Sequence, residues 1–423
     1  VSGPRLTDLP GGVRLVTEHI PTVESATLGA WFGAGSRNET ADINGVAHML
    51  EHMAFKGTAS RSAFDIAEQI EAVGGRLDAY TTHEQTAYYA RVLKDDATLA
   101  VDVIGDILCN STFSEEELAR ERSVILQEIG EASDTPDDVV FELLAGTALP
   151  DQPLGRPILG LPEIVRSMPR ETITGFLDAH YGADRLVFAA AGNIDHDRLE
   201  DEVATAFDGL SGRDNRPVEP ARYAGGDARS DRDLQQVHLM LGFEAVPVRD
   251  PTLPAQQVFS RLLGGSMSSR LFQEIRERRG LAYSIHSFAI AWRDTGLFGI
   301  HAATAPDLVG DLVPAVCDEL VKLAGESPDD ALQTEVGRAR SQIRAGVLMS
   351  RESTSSRCEA LAGNLHAFER VIGVDEIIER FEQVDGDAVQ DICRRLLSST
   401  PTLAAVGPVG TLEPWDRLCA RLA

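Results

Sequence analysis

The sequence predicts an α+β protein of two homologous domains, each a mostly antiparallel sheet covered by helices. Three observations carry this. Segments with apolar residues at every second position alternate with segments of helical period. The second half of the chain repeats the order of the first, and the stretch between the halves is poor in apolar residues. The division expected from this pattern is residues 1–215 and 216–423.

In chain order, Ala26, Leu28, Ala30 and Phe32 alternate as a half-buried strand should. A helix carrying HMLEHMAFKGT (48–58) follows, with Asn44 as its expected N-cap and Gly57 as its stop. Ser62 opens another helix, in which Phe64, Ile66, Ile70 and Val73 precede Gly74 and Gly75. RLDAYTTHEQTAYYARVL (76–93), rich in threonine and tyrosine, reads as one or two strands. Ala100, Val103, Ile104, Ile107 and Leu108 have the spacing of an amphipathic helix. Ser114 opens SEEELARERSVILQEIGEA, with acids in its first turn. Residues 211–230 read as a linker. The order then recurs: VHLMLGF (237–243) alternates like the first strand, and GLAYSIHSF resembles RLDAYTTHE. GLFGIHAAT stands where TAYYARVL stood, and Leu308, Val309, Leu312, Val313 and Val316 again mark a helix. EVGRARSQIRAGV (335–347) lies over ELARERSVILQEI (117–129), a repeat of domain size.

Composition narrows the function classes. A net charge of −27 argues against nucleic-acid binding, which needs basic patches, and suits either solubility or attraction of basic peptides. No apolar run reaches the roughly 18 residues of a membrane span. The five cysteines are scattered and never in C-x-x-C spacing, as expected of a reducing compartment rather than a cysteine-held metal. The N-terminus shows no basic flank followed by an apolar core, and it begins on Val1, so removal of an upstream segment is an expectation.

The chemistry concentrates in HMLEHMAFKGT. On a helix, residues i and i+4 lie one above the other, so His48 and His52 can grip one cation. Glu51 lies on the same side, where it can activate a metal-bound water. A catalytic zinc also needs a third protein ligand. Glu121 and Glu128, seven apart, share a helix face, so that one can reach the metal while the other orients a ligand. Their counterparts in the second half are Ala339 and Gly346, with no H-x-x-E-H motif nearby. His83 and Glu84 would point to opposite faces of a strand, which leaves Glu84 alone as a supporting acid.

NGVAHMLEHMAFKGT, ERSVILQEI, LGRPILG, AAAGNID and LLGGSMSSRLFQEIRERRGLAYS together resemble, in order, the pitrilysin/insulinase family of inverted-motif zinc metallopeptidases. The resemblance covers nearly the whole chain and is greatest to the two-domain branch similar to the mitochondrial processing peptidase β subunit and its bacterial relatives. It implies one Zn²⁺ per chain on His48, His52 and Glu128, with Glu121 as supporting acid and Glu51 as general base. It makes 1–215 the zinc-binding catalytic domain and 216–423 a domain without metal that positions substrate. It assigns substrate-backbone pairing to the strand holding Asp78, Ala79 and Tyr80, where relatives often show asparagine for Asp78. Gly264 and Gly265 match a substrate-placing loop, and Arg276 and Tyr283 match a catalytic pair.

The expected activity is zinc endopeptidase cleavage of unfolded peptides or short protein segments in a chamber between domains. The alternatives are a non-catalytic scaffold or partner subunit of the same fold and a zinc amidase or esterase. A homodimer is expected, with a heterodimer containing an inactive homologue as the alternative. The expected location is the bacterial cytoplasm in preference to the mitochondrial matrix.

Overall fold

A computed structural model of the chain describes residues 3–210, 218–327 and 329–423. The expected boundary between 215 and 216 lies outside the described residues. The chain runs β1 (Arg5–Asp8), β2 (Arg14–His19), β3 (Ser25–Phe32), α1 (Val46–Ala54), α2 (Ala63–Ala72), β4 (Arg76–Thr81), β5 (Thr86–Leu93) and α3 (Ala97–Cys109). It continues through α4 (Glu115–Asp134), α5 (Pro136–Ala148), α6 (Pro162–Ser167), α7 (Arg170–His180), β6 (Leu186–Gly192), α8 (His196–Ala206), β7 (Gly226–Asp231) and β8 (Val237–Ala245). Next are α9 (Leu253–Gly264), β9 (Ser284–Ala291), β10 (Gly296–Thr304), α10 (Val309–Gly325), α11 (Asp330–Ser350) and α12 (Thr354–Phe368). The last elements are α13 (Val374–Glu382), α14 (Gly386–Leu397), β11 (Thr402–Gly407) and α15 (Trp415–Leu422).

Two compact units result, each α+β as expected. Unit 1 takes residues 1–130, 157–219 and 349–371, and its six strands are ordered β1-β2-β6-β3-β5-β4. Unit 2 takes 131–156, 220–348 and 372–423, with the order β7-β11-β8-β10-β9. The repeat is visible in the topology: β2-β6-β3-β5-β4 and β7-β11-β8-β10-β9 each contain one parallel pair, β2 with β6 and β11 with β7, in a ladder otherwise antiparallel. The edge strands that end these orders are β4 and β9.

β3 is not half-buried. Ala26, Leu28, Ala30 and Phe32 enter the core under α3, but Thr27 and Trp31 are buried as well. The reason is α12, whose Cys358, Leu361, Ala362 and Leu365 pack on Trp31, Val187 and Ala189 on the other face of the unit 1 sheet. In unit 2, α5 covers the sheet in the same manner, with Val140 and Leu144 on Met240, Leu297 and Ala404. Each such aliphatic side chain contributes about 1.5–3 kcal/mol on full burial, so a helix on each face stabilises more than one face alone could.

Three local expectations are corrected. The N-cap of α1 is Gly45, in the left-handed region at φ 93°, because the Asn44 side chain is engaged elsewhere, donating to Glu39 and to the Pro157 carbonyl. Of the linker, 211–217 lies outside the described residues, while Gly226–Asp231 forms β7. β7 needs little apolar content because it is an edge strand, held by parallel pairing to β11 and by Arg229 bonding the Leu412 and Glu413 carbonyls. His83 and Glu84 sit in the turn between β4 and β5, not in a strand. Other readings hold: Ser62 caps α2 through a reciprocal bond pair with Asp65, and the Ser114 hydroxyl accepts the Glu117 N–H at the start of α4.

Candidate metal centre

α1 is anchored on one side and loaded on the other. Val46, Met49, Leu50 and Met53 are sunk in the unit 1 core, which fixes the rotation of the helix and turns Glu51 and His52 toward its partly open face. Its N-terminus is held by the buried Glu39 carboxylate, which accepts the Gly45 and Ala47 N–H groups at 2.8 Å each. A carboxylate there satisfies orphan donors and complements the helix dipole. Gly160 packs against Gly45 so closely that a Cβ on Gly160 would fall 2.6 Å from the Gly45 Cα. LGRPILG and NGVAHMLEHM therefore meet in space, and only glycine at both positions permits it.

On this frame the sequence-predicted ligands converge. The ligand atoms of His48, His52 and Glu128 all lie within 4.8 Å of one another. Glu128 Oε2 on α4 is 3.7 Å from His48 Nε2 and 3.6 Å from His52 Nε2. Burial, with the neighbouring His52 adding to it, pushes His48 down to about 4. At neutral pH it is uncharged, so its approach to Glu128 is not an ion pair. His52 Nδ1 lies 3.0 Å from Glu121 Oε2, and Glu121 Oε1 is 2.8 Å from Lys56 Nζ. That contact places the imidazole proton on Nδ1 and leaves the Nε2 lone pair facing Glu128 and His48. Two imidazoles and one carboxylate are a donor set that zinc accepts. Glu51 Oε2 is a buried polar atom without a hydrogen-bond partner among the described residues. Burial raises the Glu51 carboxyl above its ordinary range, and Glu128 and Asp78 push the same way.

A pocket of about 260 Å³ opens beside this group, lined by Glu51, His52, Phe55, Lys56, Leu77, Asp78 and Ala79. β4 thus lies along the same pocket as the proposed base, with its outer edge free of any strand among the described residues. Asp78 accepts a bond from Arg76 at 2.7 Å, and the Tyr80 hydroxyl bonds Trp31 and Glu359. Glu84 receives Arg37 at 2.5 Å.

The remaining predicted residues belong to unit 2. Gly264 ends α9 and packs on β9, where a Cβ would meet the Ser287 backbone nitrogen at 2.5 Å, and Gly265 caps the helix. Both line a cleft of about 560 Å³ along β9. Arg276 lies in a π-helical turn, Phe272–Arg278, with its guanidinium 4.6 Å over the Tyr283 ring. Tyr283 is 76% exposed, so its hydroxyl is open to a ligand. Ala339 is buried in the unit 2 core where Glu121 stands in unit 1, a place where an unpaired acid would be costly. Sequence reasoning misses Glu39 and Lys56. Lys56 had a signal, four residues after His52 and just past the end of α1, whereas Glu39 lies outside any periodic segment.

Comparison with known proteins matches residues 14–161 to the family described as insulinase (peptidase family M16) and residues 167–342 to the peptidase M16 inactive domain. An uncharacterized zinc protease of Rickettsia felis is 38% identical over 404 residues, covering 95% of this chain and 97% of its own. Another, from Streptomyces coelicolor, is 40% identical over 414 residues, covering 96% of this chain and 90% of its own. The crystal structure of a protease from Helicobacter pylori superposes with a TM-score of 0.89 at 19% identity, covering 96% of this chain and all of that one, which shows the fold.

Proposed function

The chain belongs to the insulinase family of peptidases, family M16, and from that premise we propose that it is a zinc-dependent endopeptidase acting on unfolded peptides or short protein segments. The observation that carries the reading is the convergence of His48, His52 and Glu128 beside a half-buried Glu51 carboxylate, whose Oε2 has no hydrogen-bond partner among the described residues, and an open strand edge. His48, His52 and Glu128 would hold the ion, and zinc, when bound, supplies a Lewis acid that polarises the substrate carbonyl and eases deprotonation of water. Glu51 accepts the proton of the attacking water and returns it to the leaving amine, aided by its partial burial. β4 binds the substrate backbone as an added strand, which aligns the scissile bond while leaving side-chain choice to the pocket. Arg276 fixes the substrate backbone, and the Tyr283 hydroxyl donates to the oxyanion. Substrate would be enclosed in a chamber to which both domains contribute, 1–215 with the metal and 216–423 with the positioning groups. The finer placement we favour is the processing-peptidase-β-like branch, supported by the two-domain length and motif order. All five cysteines are unpaired, which supports a reducing bacterial cytoplasm.

The deciding experiment pairs metal analysis with peptide digestion. Wild type should carry one zinc at this centre and cut peptides, while Glu51→Gln keeps the zinc and loses roughly 10²–10⁴ in kcat. Full turnover by Glu51→Gln would remove the base from the scheme, and undiminished zinc in His48→Ala would remove the ligand set.

A further inference from the structure

A second convergence of metal-ligating groups lies in unit 2. β8, β10 and β9 are neighbours, and in their register His301 stands opposite Met240 on one side and His286 on the other. Directly opposed residues share a sheet face, and His238, two residues from Met240, shares it too. Three imidazoles therefore project toward the face that α5 covers, with ring centroids 6.2 Å apart for His238 and His301 and 5.1 Å for His286 and His301. The first turn of α5 brings Asp137 onto them. Its Oδ1 lies 2.8 Å from His238 Nδ1 and 2.9 Å from His301 Nε2.

Hydrogen bonding alone does not account for this arrangement. His301 is 5% exposed, yet both its ring nitrogens are buried without a hydrogen-bond partner among the described residues. Asp137 Oδ1 is close to Nε2 but off the line on which an N–H would donate, and buried polar atoms in native proteins are rarely left so. The ligand atoms of Asp137, His238 and His301 fall within 4.8 Å of one another. Around an ion with bonds of ~2.05 Å, tetrahedral ligands sit roughly 3.3 Å apart, so a small opening of these contacts would admit one.

We propose that Asp137, His238 and His301 form a second site, for a divalent transition-metal ion of the zinc type, within unit 2 and independent of the His48–His52–Glu128 group. Two imidazoles and a carboxylate exclude Mg²⁺ and Ca²⁺ as preferred occupants, since those ions select oxygen donors. Asp137 is 61% exposed, which supplies an entry path and leaves a coordination position to solvent. The ion would tie the first turn of α5 to β8 and β10, fastening the helix that closes that face of the sheet.

Zinc alone is the probe. Chelator-treated full-length protein is equilibrated with micromolar free zinc and its bound metal counted by mass spectrometry. Wild type should hold two ions per chain, and His48→Ala/His52→Ala and His238→Gln one each, the latter on the first centre. Combining them should leave none. Asp137→Asn, a near-isosteric change, should match His238→Gln should that variant fold poorly. In the His48→Ala/His52→Ala chain, Co²⁺ should give ligand-field absorption and zinc should raise the melting temperature, both lost when His238→Gln is added. A wild type whose single zinc is lost in His48→Ala/His52→Ala and kept in His238→Gln, or a His238→Gln chain that still binds two, overturns the proposal. Failure of the catalytic-centre reading has a different signature, a count insensitive to His48 and His52 but sensitive to His238.

Discussion

Glu121 shows how much a metal centre can rest on a group that never meets substrate. It is buried between His52 and Lys56 and fixes which imidazole nitrogen keeps its lone pair. Glu121→Gln should weaken zinc binding by roughly 10–100-fold, measured by competition with a chelator of known affinity; unaltered affinity would reduce Glu121 to a partner for Lys56. A histidine far from the chemistry sets a pH response. His196 is buried with a threonine hydroxyl on each ring nitrogen, and burial holds it below the ordinary value of 6.5. The unfolded chain therefore takes up its proton first as pH falls, so the stability His196 confers is present above 6.5 and is lost below it. The stability gap between wild type and His196→Gln should narrow from pH 7 to pH 5, at no more than about 1.4 kcal/mol per pH unit. A gap constant with pH in denaturant titrations would refute this. At this scale the sequence made His48, His52 and the acids of α4 legible, because helical spacing puts chemistry into a short pattern. Asp137, His238 and His301 were not legible, because the sheet register and α5 bring them together from three separated elements.

At the scale of elements, the meeting of Gly45 and Gly160 decides where α1 begins. Gly160 has φ 87°, and a Cβ there would also lie 2.7 Å from the Asn44 carbonyl oxygen. Gly160→Ala should cost on the order of 2–3 kcal/mol and lower zinc affinity, because the only relief is to shift the turn that starts α1. Wild-type stability and zinc binding would mean that the two turns separate freely. Strand and helix order were readable from periodicity from β3 to α4 and for β8, β9, β10, α10 and α11, and even the capping of α2 by Ser62. The double-sided burial of β3 was not, because alternation reports the apolar face and is blind to a helix that covers small and aromatic residues on the other. The α1 cap was misread for a similar reason: Asn44 is a good cap by type, but its amide is drawn to Glu39 and Pro157.

For the whole molecule, the repeat of the second half on the first was legible from element order and recurs as two sheets of matching strand sequence. The metal set belongs to one copy and the Arg276–Tyr283 pair to the other, which underlies our proposal of a homodimer that completes two chambers. Sedimentation should give twice the 45.7 kDa chain mass in the active species, and a fully active monomer would exclude the shared chamber. Mixing Glu51→Gln with Tyr283→Phe chains tests sharing directly, since activity returns only if the pair serves its partner's metal. What periodicity could not reveal is that unit 1 includes residues 349–371, while unit 2 includes 131–156. That exchange has a consequence for biosynthesis. When the ribosome has delivered β6, every strand of the first sheet exists, yet α12, the cover for Trp31, Val187 and Ala189, is still untranslated. At ~5–20 residues per second the wait lasts on the order of ten seconds or more. For that interval the nascent chain carries an apolar strip that a ribosome-associated chaperone can shield, and a message truncated before α12 would leave it uncovered for good.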